Sequence, residues 1–275
     1  MENFSVLMSV YKNEKEEYLE KAIESLLQQT ILPDEIVIVK DGILTSGLEH
    51  VLSKYVSQYS FFKFLEFSKN RGLGLALRDG VLACSNELIA RMDTDDIAKP
   101  ERFEKQLEYL SGHPEIALLG SCIEEFSKDI NRPDSFTMLP LKHNEIMKFS
   151  KKRNPFRHMT IIFKRSAVIK SGNYRDFLWF EDYDLWIRML ENGYKTANLP
   201  DILVSVRAAD DMFARRGGYK YFRQEYKFQK FMYKNKYIRF DEYIFNLFIR
   251  GSIRLVPNKI RNIFYTSFLR SKIRK

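Results

Sequence analysis

The chain has 275 residues, enough for one substantial α/β domain with an appendage, and its 45 Lys/Arg against 36 Asp/Glu give a net charge of +9. Two cysteines, Cys84 and Cys122, match neither a disulfide framework nor a CxxC metal site and read as small core residues in a reducing compartment. No run approaches the roughly 20 apolar residues that cross a bilayer, and Phe4–Val10 is too short for an export signal, so a cytoplasmic or membrane-peripheral protein is expected.

The charge is unevenly placed. From Arg215 to the end there are 17 Lys/Arg and 3 Asp/Glu, a local balance of +14, while residues 1–214 carry −5. A mildly acidic body with a basic tail implies chemistry in the first and surface attraction in the second.

In chain order, Phe4–Val10 reads as a strand. Leu19, Ala22, Ile23, Leu26 and Leu27 then recur at helical spacing until Pro33-Asp34. Strand Ile36–Val39, helix Leu48–Val56, strand Phe61–Phe67, helix Leu75–Ala83 and strand Leu88–Met92 follow. Pro100 opens a helix through Leu110, closed by Gly112-His113-Pro114, and Ile116–Leu119 is a further strand. This alternation predicts an α/β fold with a largely parallel, doubly wound sheet flanked by helices. The second segment is more mixed. Phe156–Phe163 reads as a strand with Phe156, His158, Thr160 and Ile162 on one face, Asp182–Glu191 as a helix, and Leu199–Val206 as the last strand of the body. From Tyr219 onward aromatics and bases dominate, and Ile244, Leu247, Phe248, then Ile260, Ile263 and Phe264 recur at helical spacing, with a break at Pro257.

Three of the strands end in polar groups: the first in Tyr11-Lys12-Asn13, the second in Asp41-Gly42, and a third in Asp93-Thr94-Asp95-Asp96. Ligands bind beyond the carboxyl ends of strands in open α/β sheets, so these read as one site. Three carboxylates in four residues repel one another, which a divalent cation relieves. Hard oxygen ligands suit Mn²⁺ or Mg²⁺. Taken alone, the cluster is more safely read as a solvated acidic turn before the helix at Pro100, so its neighbours decide the case.

These residues make the chain recognisable. It resembles glycosyltransferase family 2, the inverting nucleotide-sugar transferases of GT-A fold, in Ser9-Val10-Tyr11-Lys12-Asn13, Val39-Lys40-Asp41-Gly42, Asn70-Arg71-Gly72, Asp93-Thr94-Asp95-Asp96 and Phe180-Glu181-Asp182-Tyr183-Asp184-Leu185-Trp186. Any one block is weak; five in the family's order over three quarters of the chain are specific. The resemblance implies a metal-dependent hexosyltransferase using a nucleotide sugar, with UDP the expected nucleotide. It divides the chain into a nucleotide-sugar-binding half at 1–123, an acceptor-side half of the same domain at 124–214, and a basic aromatic helical tail at 215–275.

By the same resemblance Asp95 is the first choice for a metal ligand, Asp93 reaches the ribose or the metal, and Asp96 assists. Asp41 and Arg71 flank the base, Tyr11 offers an aromatic face and Asn13 an amide. Asp182 is the expected catalytic base; read alone, it is more readily a helix cap. His158 is either a packed residue or a contact to diphosphate or acceptor. Trp179 beside Glu181 either packs or stacks on a sugar, and Trp186 packs. Arg215-Arg216 is either a phosphate clamp or a solvated turn. The tail implies an acceptor presented at an anionic membrane, such as a lipid-linked oligosaccharide in bacterial surface-polysaccharide synthesis.

Three rivals stand beside this, one of them a catalytically inactive family member, against which the presence of Asp95 and Asp182 argues. A sugar-nucleotide pyrophosphorylase would need a glycine-rich loop where Tyr11-Lys12-Asn13-Glu14 stands. A nucleic-acid-binding protein would use the basic, aromatic tail, whereas the resemblance implies no nucleic-acid partner. Gly72-Leu-Gly74 lacks the third glycine of a dinucleotide fingerprint and follows the wrong strand.

Overall fold

A computed structural model describes residues 2–208, 217–255 and 271–272. Arg215, Arg216, Pro257 and the Ile260–Phe264 pattern lie outside the described residues.

The first half alternates as its periodicity predicts. Strand β1 (Phe4–Val10), helix α1 (Glu16–Leu27), β2 (Glu35–Asp41), α2 (Ser46–Gln58), β3 (Phe62–Phe67), α3 (Leu73–Ala83) and β4 (Leu88–Arg91) follow in turn. The strands lie in the order β3-β2-β1-β4 and are all parallel, so their carboxyl ends share one edge. Side chains along β1 alternate between two cores. Phe4, Val6, Met8 and Val10 pack with Leu19, Ile23 and Leu26 of α1 and Leu48 and Leu52 of α2. Leu7 faces the other way, with Val37 and Val39 of β2 and Ala76, Leu77 and Val81 of α3.

Beyond β4 the largely parallel sheet takes on antiparallel strands, in keeping with the more mixed pattern of the second segment. Next come β5 (Ile97–Ala98), α4 (Arg102–Gly112), β6 (Ile116–Phe126), β7 (Ser135–Thr137), α5 (His143–Ser150), β8 (Ile162–Lys164), α6 (Arg165–Lys170), α7 (Glu181–Glu191) and β9 (Lys195–Arg207). β8 is inserted antiparallel between β4 and β6, and β9 runs parallel to β6 and antiparallel to β5. β6 and β9 are both longer than expected because they pair with each other. Their register shifts between Ser121↔Leu199 and Cys122↔Ile202, which leaves Pro200 and Asp201 bulged out of the ladder. Proline has no N–H to donate there.

The strand expected at Phe156–Phe163 is mostly absent. His158–Thr160 forms a 3₁₀ turn, and only Ile162–Lys164 joins the sheet. Local bonds take the backbone out of extension: the Thr160 hydroxyl donates to the Arg157 carbonyl at 2.9 Å and accepts from the Ser121 N–H at 3.0 Å, and the Phe156 N–H donates to Asn154 Oδ1 at 3.2 Å.

The tail is not a separate appendage throughout. Helix α8 (Gly218–Lys234) and helix α9 (Phe240–Leu255) form a hairpin. Phe228 and Met232 are fully buried in the second core, together with Tyr237 and Ile238 of the turn between the helices. Polar groups tie the hairpin both within itself and to the body. Arg250 pairs with the fully buried Glu225 at 2.7 Å and donates to the Lys152 carbonyl at 2.7 Å, while Asn246 donates to the Lys151 carbonyl at 2.8 Å. Among the described residues no helix is long and apolar enough to cross a membrane.

Candidate active site

The acidic turn leaves β4 as the strand reaches the shared edge. Asp93, Asp95 and Asp96 can each offer a carboxylate oxygen, all within 4.8 Å of one another. Burial and the charges of Asp93 and Glu14 push the Asp95 carboxyl up to about 7. Asp96 is shifted well upward by its own burial and by Asp95 and Asp93. Strong mutual repulsion among hard oxygen donors is what a divalent cation would relieve, so the donor set fits Mn²⁺ or Mg²⁺.

Several groups that sequence reasoning did not single out hold this turn. Arg91, 2% exposed, forms an ion pair with Asp93. Its Nε and Nη1 have no hydrogen-bond partner among the described residues. The Arg207 N–H donates to Asp96 Oδ1 at 2.9 Å, and Arg207 Nε donates to the Asp95 carbonyl at 3.3 Å. Thr94 donates to Glu14 at 2.5 Å, tying the acidic turn to the loop after β1. Arg91 was visible as a charge at the end of an apolar run; Arg207 lies 111 residues from Asp96, and no local pattern links them.

The first two strand ends sit beside it. Tyr11 is 41% exposed and Asn13 is exposed. Asp41 is buried, and its carboxylate accepts from the Arg71 N–H at 2.8 Å and the Gly72 N–H at 3.0 Å. The carboxylate therefore shapes the Asn70-Arg71-Gly72 loop. Gly42, at φ +95°, lets the chain turn against that loop, where a Cβ would stand 2.7 Å from the Asn70 nitrogen. The Arg71 guanidinium lies 3.5 Å over the Phe67 ring and pairs with Asp79 at 2.7 Å.

Helix α7 brings the remaining acids. Gly74 in the first turn of α3 makes this possible: a Cβ there would lie 3.1 Å from Glu181 Cβ and 2.3 Å from the Arg175 carbonyl. Asp182 lies inside the first turn, and Phe180 occupies the cap position. One Asp182 oxygen accepts from the Tyr183 N–H at 2.6 Å and the other from Asn154 Nδ2 at 2.7 Å. Asp184 turns away into the core and pairs with Arg188 at 2.7 Å. The Glu181 carboxyl is pushed up to about 7 by burial, then by Asp182, with a smaller push from Asp93. The acids of α7 and of the β4 turn thus act on one another electrostatically.

His158 packs rather than facing outward. Its Nε2 lies 2.8 Å from the Tyr174 hydroxyl and its ring sits edge-on to Trp186, while burial, then Arg91, drives its pKa well down. Trp186 is fully buried. Trp179, at φ +68°, stacks on Tyr221 of α8 at 4.8 Å.

A parallel sheet edge of this order, closed by antiparallel strands and carrying an acidic turn opposite further acids, defines the GT-A class of sugar-transferring enzymes. The chain belongs to glycosyl transferase family 2, whose family model matches residues 5–172. It is 41% identical over 262 residues, 95% of this chain and 97% of the relative, to the amylovoran biosynthesis glycosyltransferase AmsE of Erwinia amylovora. It is 35% identical over 267 residues, 97% of this chain and 96% of the relative, to the UDP-Gal:alpha-D-GlcNAc-diphosphoundecaprenol beta-1,3-galactosyltransferase of Escherichia coli. Among solved structures, the mannosyltransferase PcManGT of Pyrobaculum calidifontis, in complex with GDP-Man and Mn²⁺, matches with a TM-score of 0.65 at 15% identity. That match covers 97% of this chain and 73% of the other and is a likeness of fold. The protein is thus a glycosyltransferase.

Proposed function

We propose that the protein transfers a hexose, with inversion, from a UDP-sugar to a hydroxyl of a lipid-linked saccharide in bacterial surface-polysaccharide assembly. The observation that carries this is the convergence of the β4 acids with Glu181 and Asp182, one pair of elements for the donor and one for the acceptor. The choice of UDP and of a lipid-linked acceptor draws on the printed activity of the Escherichia coli relative and on the family's polysaccharide enzymes such as AmsE.

Asp95, with Asp93 and Asp96, would hold the divalent cation, which when bound supplies neutralisation of the leaving diphosphate. Arg91 fixes Asp93 from below through their ion pair. On the nucleotide side, Tyr11 offers its exposed ring and Asn13 its amide. Asp41 sets the loop on which Arg71 meets the base, and Phe67 and Asp79 hold the Arg71 side chain. On the acceptor side, Asp182 takes the hydroxyl proton as that oxygen attacks the anomeric carbon. Asn154 and the α7 backbone aim its two oxygens. What separates Asp182 from its neighbour is its contacts: both of its oxygens are fixed by hydrogen bonds, whereas Glu181, half-buried and raised to about 7, is the rival acid to test as the base. His158 serves as packing in this reading. Attachment is peripheral, at an anionic membrane face.

Calorimetric titration with UDP, first with Mn²⁺ or Mg²⁺ and then with a chelator, tests the donor site. Affinity is expected to fall at least tenfold in chelator, and equal affinity in both conditions would remove the metal from the mechanism. A nucleotide-sugar panel assayed for hydrolysis then names the donor.

A further inference from the structure

The outer face of α8 is a continuous cationic stripe. Lys220, Arg223, Lys227, Lys230 and Lys234 follow one another at intervals of three and four residues, and all are exposed. That spacing confines them to one side of the helix. The sole acid of α8, Glu225, points the opposite way and is fully buried. None of the five bases has a carboxylate partner among the described residues. The stripe is therefore not a set of surface ion pairs but an uncompensated field.

Apolar groups border it. Tyr226 and Tyr233, each 39% exposed, lie along α8 beside the stripe, and the Tyr233 ring meets Phe240 at 5.8 Å and Tyr243 at 5.2 Å across the hairpin. From there the exposed face of α9 continues with Phe240, Ile244, Phe245 and Phe248, the last 72% exposed. A soluble surface rarely leaves four large apolar side chains in one patch.

The stripe also has a fixed position relative to the chemistry. Lys220, at its start, lies 5.8 Å over the Trp179 ring, and Trp179 stacks on Tyr221. Trp179 precedes Glu181 and Asp182 by two and three residues. The stripe therefore begins at the acceptor side of the site.

We infer that the α8–α9 hairpin is a membrane-docking surface: the α8 stripe sits on anionic headgroups, Ile244, Phe245 and Phe248 enter the interface, and the acceptor side of the site is held at the bilayer. This rests on the reading of a membrane-borne acceptor and names the surface that meets it. Charge complementarity selects anionic lipid, and the bare aliphatic and phenyl groups select a bilayer over a nucleic acid, which would leave Ile244 and Phe248 in water. The hairpin docks without spanning, since α9 has only 16 residues and carries Asp241 and Glu242 in its first turn.

The test uses the full chain and flotation with phosphatidylcholine vesicles, with and without 30% phosphatidylglycerol (a composition of about one anionic lipid in three). The first variant combines Lys227→Glu, Lys230→Glu and Lys234→Glu; the second combines Ile244→Ser and Phe248→Ser. UDP titration confirms that each remains folded. The wild type is expected to bind only the anionic vesicles. Charge reversal is expected to weaken binding about 100-fold or more, at about fivefold per base removed. The serine variant is expected to bind at low salt and to lose the salt-resistant share. Binding of the charge-reversed chain equal to wild type would overturn the surface while leaving membrane attachment elsewhere intact. No binding of the wild type to either vesicle would overturn both. Tighter binding of a random RNA oligomer, competing with vesicles and lost on charge reversal, would replace the lipid with nucleic acid.

Discussion

Asp182 is held from two directions, by the amide of Asn154 and by the N–H of Tyr183 in its own helix. Its neighbours have different fates: Asp184 is consumed by Arg188, and Glu181 is pushed toward the protonated form. Asp182→Asn keeps the shape and removes the proton acceptor, so single-turnover transfer should fall by on the order of 10²–10⁴. UDP affinity should stay within about twofold, because the proposed role of Asp182 is on the acceptor side. Near-normal transfer would eliminate it as the base. At this scale the acids 93–96 and the Glu181-Asp182 pair stand out in the sequence as local runs, and it is the family resemblance, not their spacing, that gives them a role in a site. Their supports do not stand out, because Asn154 and Arg207 reach their acids across 28 and 111 residues. The same blindness applied to Asp41, whose acceptor bonds go to backbone N–H groups that carry no sequence signature.

At the scale of elements, helix periodicity located α1, α2, α3 and α7 because one face of each meets the sheet. It failed for Phe156–Phe163, where Asn154 and Thr160 offer the backbone local partners that an alternating pattern does not reveal. In the hairpin the same three- and four-residue spacing describes both a buried aromatic face of α8 and an exposed cationic one, so it indicates an amphipathic helix without saying what covers the apolar side. That hairpin acts on the site through a short path. Asn246 and Arg250 of α9 bond the carbonyls of Lys151 and Lys152, three and two residues before the Asn154 that holds Asp182. Arg250→Met would remove the cation from the buried Glu225 as well as one of these bonds. It should destabilise the protein by about 3–5 kcal/mol in chemical denaturation. Asn246→Ala is milder, and should lower the transfer rate several-fold while UDP affinity holds; a loss confined to UDP binding would refute the path.

For the whole molecule, the crowded acids make stability depend on pH. The Glu181 carboxyl lies near 4.5 in the unfolded chain and near 7 in the folded one. The folded state thus holds a proton that the unfolded state has released across that window, and stability is lost as the pH rises through it. Glu181→Gln removes the effect. Measured in chelator, the variant should gain on the wild type between pH 4.5 and 7, reaching on the order of 1–3 kcal/mol at pH 8. A difference that does not change with pH would show that Glu181 ionises freely. The pairing of β5 with β9 carries a consequence for synthesis. Ile97, one residue after the acidic turn, finds its ladder partner at Ser205, and Asp96 finds its backbone donor at Arg207. A ribosome adding about 5–20 residues each second reaches those partners roughly 5–20 s after the acids themselves have emerged. Through that interval the nascent chain carries three repelling carboxylates with no strand to brace them, so the acidic turn takes its final form only when translation has reached β9.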